Sequence, residues 1–266
     1  MLLSEAKELG ANMIRLAHYP QNEYTVRLAE RMGFLLWEEI PIWQGIDFKN
    51  TATREKAGRM IKEMVMRDKN RCSVAFWGIA NETATSAPRN EFLKHMKQCC
   101  LDIDSTRLIT AAFDLVRFNR ESRNFEMNDS IINILDMVAI NKYMGWYHDW
   151  PLAPDQAVWN VAPGKPLSFP SSEAKRSMAN MATRKSRVLG VRIIRHNSTR
   201  TIWKCQAYPQ PARNIAVDSF DFRSPFRFHP HQGGEWNRKG LVSDQGQRKK
   251  AWYIMRDYYN QKKKEQ

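Results

Sequence analysis

An amide and a carboxylate, Asn81 and Glu82, stand directly after a short apolar run. That run, residues 76–80, predicts a buried strand that delivers both polar groups at its end. In an α/β barrel the chemistry lies at the carboxyl ends of the strands, and a carboxyl group beside an apolar wall holds its proton tightly enough to act as a general acid. A strand that simply ends at a surface Asn–Glu pair explains this dipeptide equally well, so the neighbouring elements must decide.

Helices and strands alternate through most of the chain. Strand patterns cover residues 12–17, 34–39, 73–80, 107–113 and 136–141, and helical patterns cover residues 3–9, 23–31, 53–67, 90–101 and 249–259. This alternation predicts parallel βα units. Several of these strands end in polar or aromatic residues, as the first does at His18-Tyr19-Pro20. The predicted fold is therefore α/β, and a barrel with its site at one rim is favoured over an open sheet.

The composition describes a globular protein with an uneven charge. The 266 residues are 42% hydrophobic and 11% aromatic, which excludes a disordered chain. The net charge of +14 would ordinarily suggest nucleic acid or an anionic surface as partner. Residues 168–219, however, hold ten Lys and Arg against two acidic residues, so +8 of the +14 belongs to this segment. The basic character is therefore local.

No metal, disulfide or membrane pattern appears in the sequence. The four cysteines, Cys72, Cys99, Cys100 and Cys205, have no CxxC spacing, so neither a zinc site nor a disulfide framework is expected. No run is long and apolar enough to span a membrane. Residues 1–8 become charged too early for a signal peptide. The sequence does not indicate the cellular compartment of the protein.

Four segments together resemble glycoside hydrolase family 2, the β-glucuronidase and β-galactosidase group. The segments are residues 10–20 (GANMIRLAHYP), residues 67–74 (RDKNRCSV) followed by Trp77 and Asn81-Glu82, residues 141–147 (NKYMGWY) and residues 236–241 (WNRKGL). They follow one another in the order of the family. The resemblance covers residues 10–167 and 220–259, and it implies a (β/α)8 TIM barrel, no cofactor and no metal.

The resemblance also implies roles for single residues. Retaining glycosidases use two carboxyl groups about 5 Å apart, one as acid/base and one as nucleophile. Glu82 matches the acid/base, and Asn81 matches the amide that holds the sugar 2-hydroxyl. His18, Tyr143 and Tyr147 fall where the family lines its sugar pocket. A structural histidine at position 18 and core aromatics at positions 146 and 147 are the alternatives.

The pair Asn237 and Lys239 bears on the substrate. In the glucuronidase branch of the family an Asn-x-Lys motif binds the sugar carboxylate, and an amine with an amide donor suits that anion. A galactoside offers no such anion. A solvated basic loop is the alternative, because other cationic residues lie nearby at positions 238 and 248–250. The uronate interpretation is favoured, and a β-galactosidase is the second choice.

The sequence departs from the family in two places. The family carries two β-sandwich domains and a first barrel strand ahead of the segment that begins this chain, so residues 1–266 are expected to be a single, incomplete TIM-barrel domain. The seventh strand should end in a Ser/Thr-Glu-Phe/Tyr-Gly nucleophile motif near Pro170 and Ser171. The chain instead reads SFPSSEAK over residues 168–175. The strand 7 region is therefore expected to be disrupted, with the nucleophile missing.

A slip of the reading frame explains the second departure. One permissible codon choice for residues 168–173, TCA TTT CCG AGT TCG GAA, reads Ile-Ser-Glu-Phe-Gly when it is shifted by two bases. At the far end, one choice for residues 216–220 shifts to Pro-Trp-Ile-Leu-Phe, which suits the eighth strand. The hypothesis is that residues 168–219 are out of frame. It accounts for both the lost periodicity and the local excess of Lys and Arg.

Two other classes of function compete with an enzyme. Residues 175–213 could bind nucleic acid, but only Trp203 and Tyr208 offer stacking surfaces there and no nucleic-acid-binding motif appears, so no nucleic-acid partner is expected. A non-catalytic carbohydrate-binding remnant of an enzyme fits every observation. The expected partner is a β-glycoside or β-glucuronide substrate, with no membrane. The aglycone and the oligomeric state are left open.

Overall fold

Six parallel strands form one curled sheet in the computed structural model, which describes residues 2–141, 158–162, 164–171, 220–225, 234–238 and 240–264. In spatial order they are β1 (Met13–Leu16), β2 (Leu35–Glu39), β3 (Val74–Asn81), β4 (Leu108–Phe113), β7 (Met137–Asn141) and β9 (Leu167–Ser171). Neighbouring strands pair in parallel throughout, from Met13 opposite Leu35 to Asn141 opposite Ser171. All six carboxyl ends therefore meet at one rim, and the incomplete TIM barrel predicted from the sequence is confirmed.

Helices alternate with the strands of the sheet, and buried residues of the first four helices pack on its outside. They are α1 (Leu2–Leu9), α2 (Glu23–Arg31), α3 (Thr51–Asp68), α4 (Ala87–Leu101) and α5 (Lys250–Lys264), with a short 3-10 helix at Ser130–Ile134. Three of them begin at a polar cap. Asn22, Asn50 and Ser86 each accept a hydrogen bond from the backbone N–H three residues further on. These caps satisfy donors that the first helical turn leaves unpaired.

The apolar residues divide into two layers. The larger cluster lies between the sheet and the helices and includes Val26, Ile61, Leu93, Ile109 and Val138. A smaller cluster fills the inside of the curled sheet, with Met13, Trp37, Phe76, Ala112, Met137 and Ala139. Strands buried on both faces read as continuous apolar runs, as these do.

Gly78 allows the inner layer to close around Trp37. A Cβ atom at position 78 would lie 2.2 Å from Trp37 Nε1 and 2.8 Å from Glu39 Cβ. No side chain fits in that space, so glycine is required here by the close approach of β2. Trp37 is fully buried as a result, and its ring lies 4.4 Å from the guanidinium carbon of Arg15.

A pair of buried carboxyl groups lies between β2 and the end of α3. Glu38 and Asp68 have no exposed surface, and the Asp68 carboxyl group affects the ionisation of Glu38. Burial and, second to it, the Asp68 carboxyl group raise the pKa of Glu38 to about 8, against an opposing effect of the Arg67 charge. With its pKa raised to about 8, Glu38 keeps its proton at neutral pH.

Two small sheets accompany the barrel. One contains β5 (Arg117–Phe118), β6 (Asn124–Glu126) and β8 (Val158–Asn160), where Phe125 stacks on Trp159 with ring centroids 4.8 Å apart. The other is an antiparallel ribbon of β10 (Phe222–Arg223) and β11 (Trp236–Asn237). This ribbon carries the predicted Asn237.

Helix α5 returns to the beginning of the chain. The Arg248 guanidinium, just before α5, bonds both oxygens of Glu5 at 2.8 and 3.0 Å and pairs with Glu8. It also lies 4.1 Å above the Trp252 ring. Trp252 is buried in a third apolar cluster with Leu9 and Val242. These contacts fix α5 against α1.

Several predictions fall outside the described residues. The strand expected to be disrupted is formed over Leu167–Ser171, while residues 172–219, where most of the suspected frame slip would lie, are outside the part of the chain that the structure describes. Tyr143, Tyr147 and Lys239 are outside it as well. Among the helices that are described, none has the length and apolar character needed to cross a bilayer.

Candidate active site

Four strand ends bring polar side chains together at the rim. Arg15 comes from β1, Glu39 from β2, Asn81 from β3 and Asn141 from β7. Glu39, Asn81 and Asn141 are each the last residue of their strand, and all three are buried. Polar groups at this depth need partners, and here they supply one another.

Arg15 is the centre of this network. Its Nε donates to Glu39 Oε2 at 2.9 Å and its Nη2 donates to Glu39 Oε1 at 3.0 Å, a bidentate pair. The same Nη2 donates to Asn81 Oδ1 at 2.8 Å, and Nη1 lies 3.4 Å from Asn141 Oδ1. Planar, bidentate geometry of this kind fixes direction as well as charge.

Glu39 is held in its ionised form. Burial raises its pKa, but the charge of Arg15 and the hydrogen bonds from His18 and Arg15 outweigh burial and leave the pKa below its ordinary value. His18 Nδ1 lies 2.6 Å from Glu39 Oε1. One face of the His18 imidazole stacks on Trp43, with ring centroids 6.0 Å apart and an interplanar angle of 7°. His18 is thus oriented by two partners at the edge of the site.

Asn141 joins the network to Glu82. Its Nδ2 donates to Asn81 Oδ1 at 2.9 Å and to Glu82 Oε1 at 2.8 Å. Because Asn81 Oδ1 accepts from both Arg15 and Asn141, its amide is oriented with the oxygen toward the network. Nδ2 is the remaining polar atom of the Asn81 side chain, and it can donate to a ligand hydroxyl.

The backbone of Glu82 departs from ordinary geometry. Its φ is 49°, in the left-handed region that non-glycine residues rarely occupy. The Glu82 N–H donates to Ala112 O of β4 at 2.9 Å, so the turn out of β3 is pinned by the neighbouring strand. Strained residues of this kind cluster at functional sites. The side chain is only partly buried, which leaves the carboxyl group accessible to a ligand.

The position expected for the nucleophile lies beside Asn141. Ser171, the last residue of β9, is the register partner of Asn141 in the sheet. The strand end that the family equips with a carboxylate therefore carries a serine in this chain.

Of the residues predicted from the sequence, the structure brings three together. Asn81, Glu82 and His18 belong to one connected set of hydrogen bonds. Asn237 is buried in the separate ribbon of β10 and β11. The described residues contain no group of three or more His, Cys, Asp or Glu side chains arranged to hold a metal ion.

The sequence did not single out Arg15, Glu39, Asn141 or Trp43 as site residues. All but Trp43 stand in or at the end of a predicted strand, which is a signal that could have identified them. Their partners are 21 to 126 residues away along the chain, so the pairing depends on strand register rather than on local pattern.

A half-barrel of parallel strands with polar side chains gathered at the carboxyl ends of the strands has the architecture of a TIM barrel, whose functional site lies at that rim. Residues 3–170 match the family described as glycosyl hydrolases family 2, TIM barrel domain. The match covers more than half of the chain, and the chain belongs to this family.

Individual relatives agree with the family. A β-glucuronidase of Streptococcus agalactiae is 30% identical over 168 residues, covering 56% of this chain and 26% of the relative. The rat β-glucuronidase is 31% identical over 146 residues, covering 53% of this chain and 21% of the relative. A β-galactosidase of Thermoanaerobacterium thermosulfurigenes is 37% identical over 101 residues, covering 38% and 13%. The chain thus spans about a quarter or less of these relatives.

Solved structures share the fold. The β-galacturonidase of Eisenbergiella tayi, bound to galacturonate, superposes with a TM-score of 0.77 at 24% identity, covering 98% of this chain and 46% of that one. The Bifidobacterium dentium β-glucuronidase in complex with coumarin-3-O-glucuronide gives a TM-score of 0.76 at 22% identity, covering 97% and 42%. At these identities the likeness concerns the fold.

Proposed function

We propose that this chain is the catalytic-barrel part of a retaining β-glycosidase of the β-glucuronidase type, with Glu82 as the general acid/base. The observation that carries the proposal is the hydrogen bond from Asn141 to Glu82 Oε1, which holds a partly exposed carboxyl group at the rim of the barrel. Membership of a glycosidase family supports the reaction class.

In the proposed reaction Glu82 donates its proton to the glycosidic oxygen while a nucleophile attacks the anomeric carbon from the other side. The glycosyl–enzyme bond then breaks when water attacks, with Glu82 taking the proton of that water. Asn81 Nδ2 donates to the 2-hydroxyl of the sugar. Arg15 and Asn141 fix the direction of that amide through its oxygen.

For the substrate we propose a uronide. Asn237 and Lys239 would bind the sugar carboxylate, as the family motif implies, with Tyr143, Tyr147 and His18 lining the sugar pocket. The bound galacturonate of the Eisenbergiella tayi enzyme and the glucuronide of the Bifidobacterium dentium enzyme are consistent with this choice.

We further propose that a protein with this amino-acid sequence is impaired in glycoside hydrolysis. It has a serine, Ser171, at the strand end where the nucleophile is expected, and Glu173 lacks the aromatic residue and glycine that follow the family nucleophile. Without the second carboxylate the glycosyl–enzyme intermediate cannot form. The protein then has an acid without its nucleophile.

The first experiment measures hydrolysis of a phenyl β-glucuronide in buffer and in azide. We expect no turnover in buffer. With azide, the anion attacks the anomeric carbon, the bond to phenol breaks, Glu82 supplies the proton to phenol, and the product is the α-glucuronyl azide. Glu82→Gln should reduce this azide-dependent rate about 100-fold or more, and Glu91→Gln, at an exposed carboxylate of α4, should leave it unchanged.

Two results would contradict the proposal. Turnover in buffer that Glu82→Gln abolishes would mean that a nucleophile is present. An azide-dependent rate that Glu82→Gln does not change would remove Glu82 as the acid.

The reading-frame hypothesis has its own test. Sequencing of the gene across residues 168–219 should reveal one slip near each end of the segment. An uninterrupted frame, confirmed by independent reads over both junctions, would refute it.

A β-galactosidase is the second candidate, because the highest identity among the relatives reported above is the 37% to a β-galactosidase. Lys239→Ala separates the two. It should abolish the preference for a glucuronide over a galactoside if the uronide proposal holds, and it should have no effect on a galactosidase. Sugar binding with no turnover, even in azide, would instead identify a non-catalytic carbohydrate-binding remnant.

A further inference from the structure

A buried ion pair joins the first turn of α4 to the residue that caps the 3-10 helix. The side chains of Arg89 and Asp129 are 0% and 1% exposed, and Arg89 Nη2 donates to Asp129 Oδ2 at 2.5 Å. Arg89 Nε and Nη1 have no hydrogen-bond partner among the residues that the structure describes. Within that part of the chain, Asp129 is thus the group that balances this buried guanidinium, and a buried charge needs such a partner.

The same carboxylate holds the loop between β3 and α4. Thr85 Oγ1 donates to Asp129 Oδ2 at 3.0 Å, beside the bond from Arg89. Asp129 Oδ1 accepts from the backbone N–H of Ile131 at 3.2 Å and so caps the 3-10 helix. One buried carboxylate therefore fixes the loop, the start of α4 and the 3-10 helix to one another.

This loop begins at Glu82 and is only five residues long. At its first end the Glu82 N–H donates to Ala112 O, and the Glu82 backbone has a φ of 49°. At its other end Ser86 Oγ accepts from the backbone N–H of Arg89 at 3.2 Å and starts α4. Thr85 lies three residues after Glu82. Because each peptide unit is planar and leaves two soft dihedral angles per residue, a shift at Thr85 is passed to Glu82 over few degrees of freedom.

We infer that Asp129 is a positioning residue for Glu82: it holds the loop at Thr85 and so keeps the Glu82 carboxyl group in place for proton transfer. The inference rests on the proposed role of Glu82 as general acid. It does not require Asp129 to touch the substrate. The ion pair with Arg89 suits this role, because a charged acceptor strengthens the bond from Thr85 and its burial in a packed interior restricts its movement.

Two matched variants separate this role from a general effect on the fold. Thr85→Val removes the hydroxyl that donates to Asp129, at an exposed position. Thr83→Val makes the same change two residues earlier, where the hydroxyl is buried and has no hydrogen-bond partner in the described chain. A third variant, Asp129→Asn, removes the charge itself and leaves Arg89 an acceptor oxygen.

The first measurement compares azide-dependent cleavage of phenyl and dinitrophenyl β-glucuronides. In both reactions azide bonds to the anomeric carbon and the glycosidic C–O bond breaks. Phenolate needs the proton of Glu82 in order to leave, whereas dinitrophenolate is stable enough to leave as the anion. We expect Thr85→Val to lower the rate with the phenyl substrate about tenfold and the rate with the dinitrophenyl substrate less than about twofold. Asp129→Asn should lower the first rate further, and Thr83→Val should change neither.

The second measurement is hydrogen exchange at the Glu82 amide, which needs no activity. We expect Thr85→Val to raise this exchange about tenfold without raising exchange in the rest of the sheet, and Thr83→Val to leave it unchanged. Unaltered exchange at Glu82 in Thr85→Val would overturn the inference. Equal losses with both substrates would overturn it too, because they mark a general structural role, and so would equal effects of the two threonine variants.

The inference and the proposed function can fail separately. If the unaltered protein cleaves neither substrate in azide, or if Glu82→Gln leaves the rate unchanged, the role of Glu82 as general acid is wrong. Raised exchange at Glu82 in Thr85→Val but not in Thr83→Val would still identify Asp129 as the anchor of the loop.

Discussion

Replacement of the buried Glu38 by glutamine should stabilise this protein at neutral pH. Glu38 is fully buried, and the Asp68 carboxyl group is one of the causes of its raised pKa. Neither Glu38 oxygen has a hydrogen-bond partner within the described residues. Glutamine keeps the shape of the side chain, has no group that ionises, and carries an amide N–H that can donate to Asp68.

The magnitude follows from the raised pKa of Glu38, about 8 against an ordinary 4.5. Between these values the unfolded chain loses the proton while the folded protein keeps it, so stability falls as the pH rises. Each rise of one pH unit in this window lowers the free energy of unfolding by about 1.4 kcal/mol. At pH 7 the folded wild type is therefore destabilised by roughly 3 kcal/mol relative to a variant whose side chain at position 38 does not ionise.

The assay is urea unfolding of the wild type and Glu38→Gln at pH 5, 6, 7 and 8. We expect similar midpoints at pH 5, a gap that widens up to pH 8, and equal m-values. The neighbouring Glu39→Gln is the matched control with the opposite sign. Because Arg15 and His18 lower the pKa of Glu39, its charge stabilises the fold above pH 4.5, and its loss should be destabilising there. If Glu38→Gln and the wild type lose stability in parallel from pH 5 to 8, the proton assignment is wrong.

Three further predictions concern single contacts. Gly78→Ala should lower stability by about 3 kcal/mol, seen as a lower Tm, because its Cβ would collide with Trp37. Asn141→Ala should reduce the azide-dependent rate about 100-fold, since it removes the donor that orients both Glu82 and the Asn81 amide. Arg248→Ala should lower the Tm at low salt, and the difference should shrink in about 1 M salt, where ion pairs are screened.

Much of the barrel could be predicted from the sequence because its strands are apolar on both faces. The predicted strand over residues 73–80 is observed at Val74–Asn81, and the one over residues 136–141 at Met137–Asn141. Continuous apolar runs of this kind are easy to recognise in a short stretch of sequence. The β5, β6 and β8 strands were not predicted, because they are two or three residues long and offer too little alternation to recognise.

The site was predictable only in part. Asn81 and Glu82 follow a strand directly, and position alone identifies them. The adjacent pair Glu38 and Glu39 shows where sequence reasoning stops. Period-two alternation requires the two side chains to face opposite sides of β2, but it does not say which side is the interior of the barrel. Only the packing of Trp37 and Arg15 decides that Glu39 belongs to the site and that Glu38 is buried against α3.

The clamp formed by Arg248 on α1 joins residues about 240 positions apart. None of the contacts described for α1, α5 and Trp252 uses a side chain from residues 172–219. The cost of closing a loop grows only with the logarithm of its length, about 0.6 kcal/mol per doubling. The contacts between α1 and the beginning of α5 thus join the two ends of the described chain as an interface joins the two halves of a split protein.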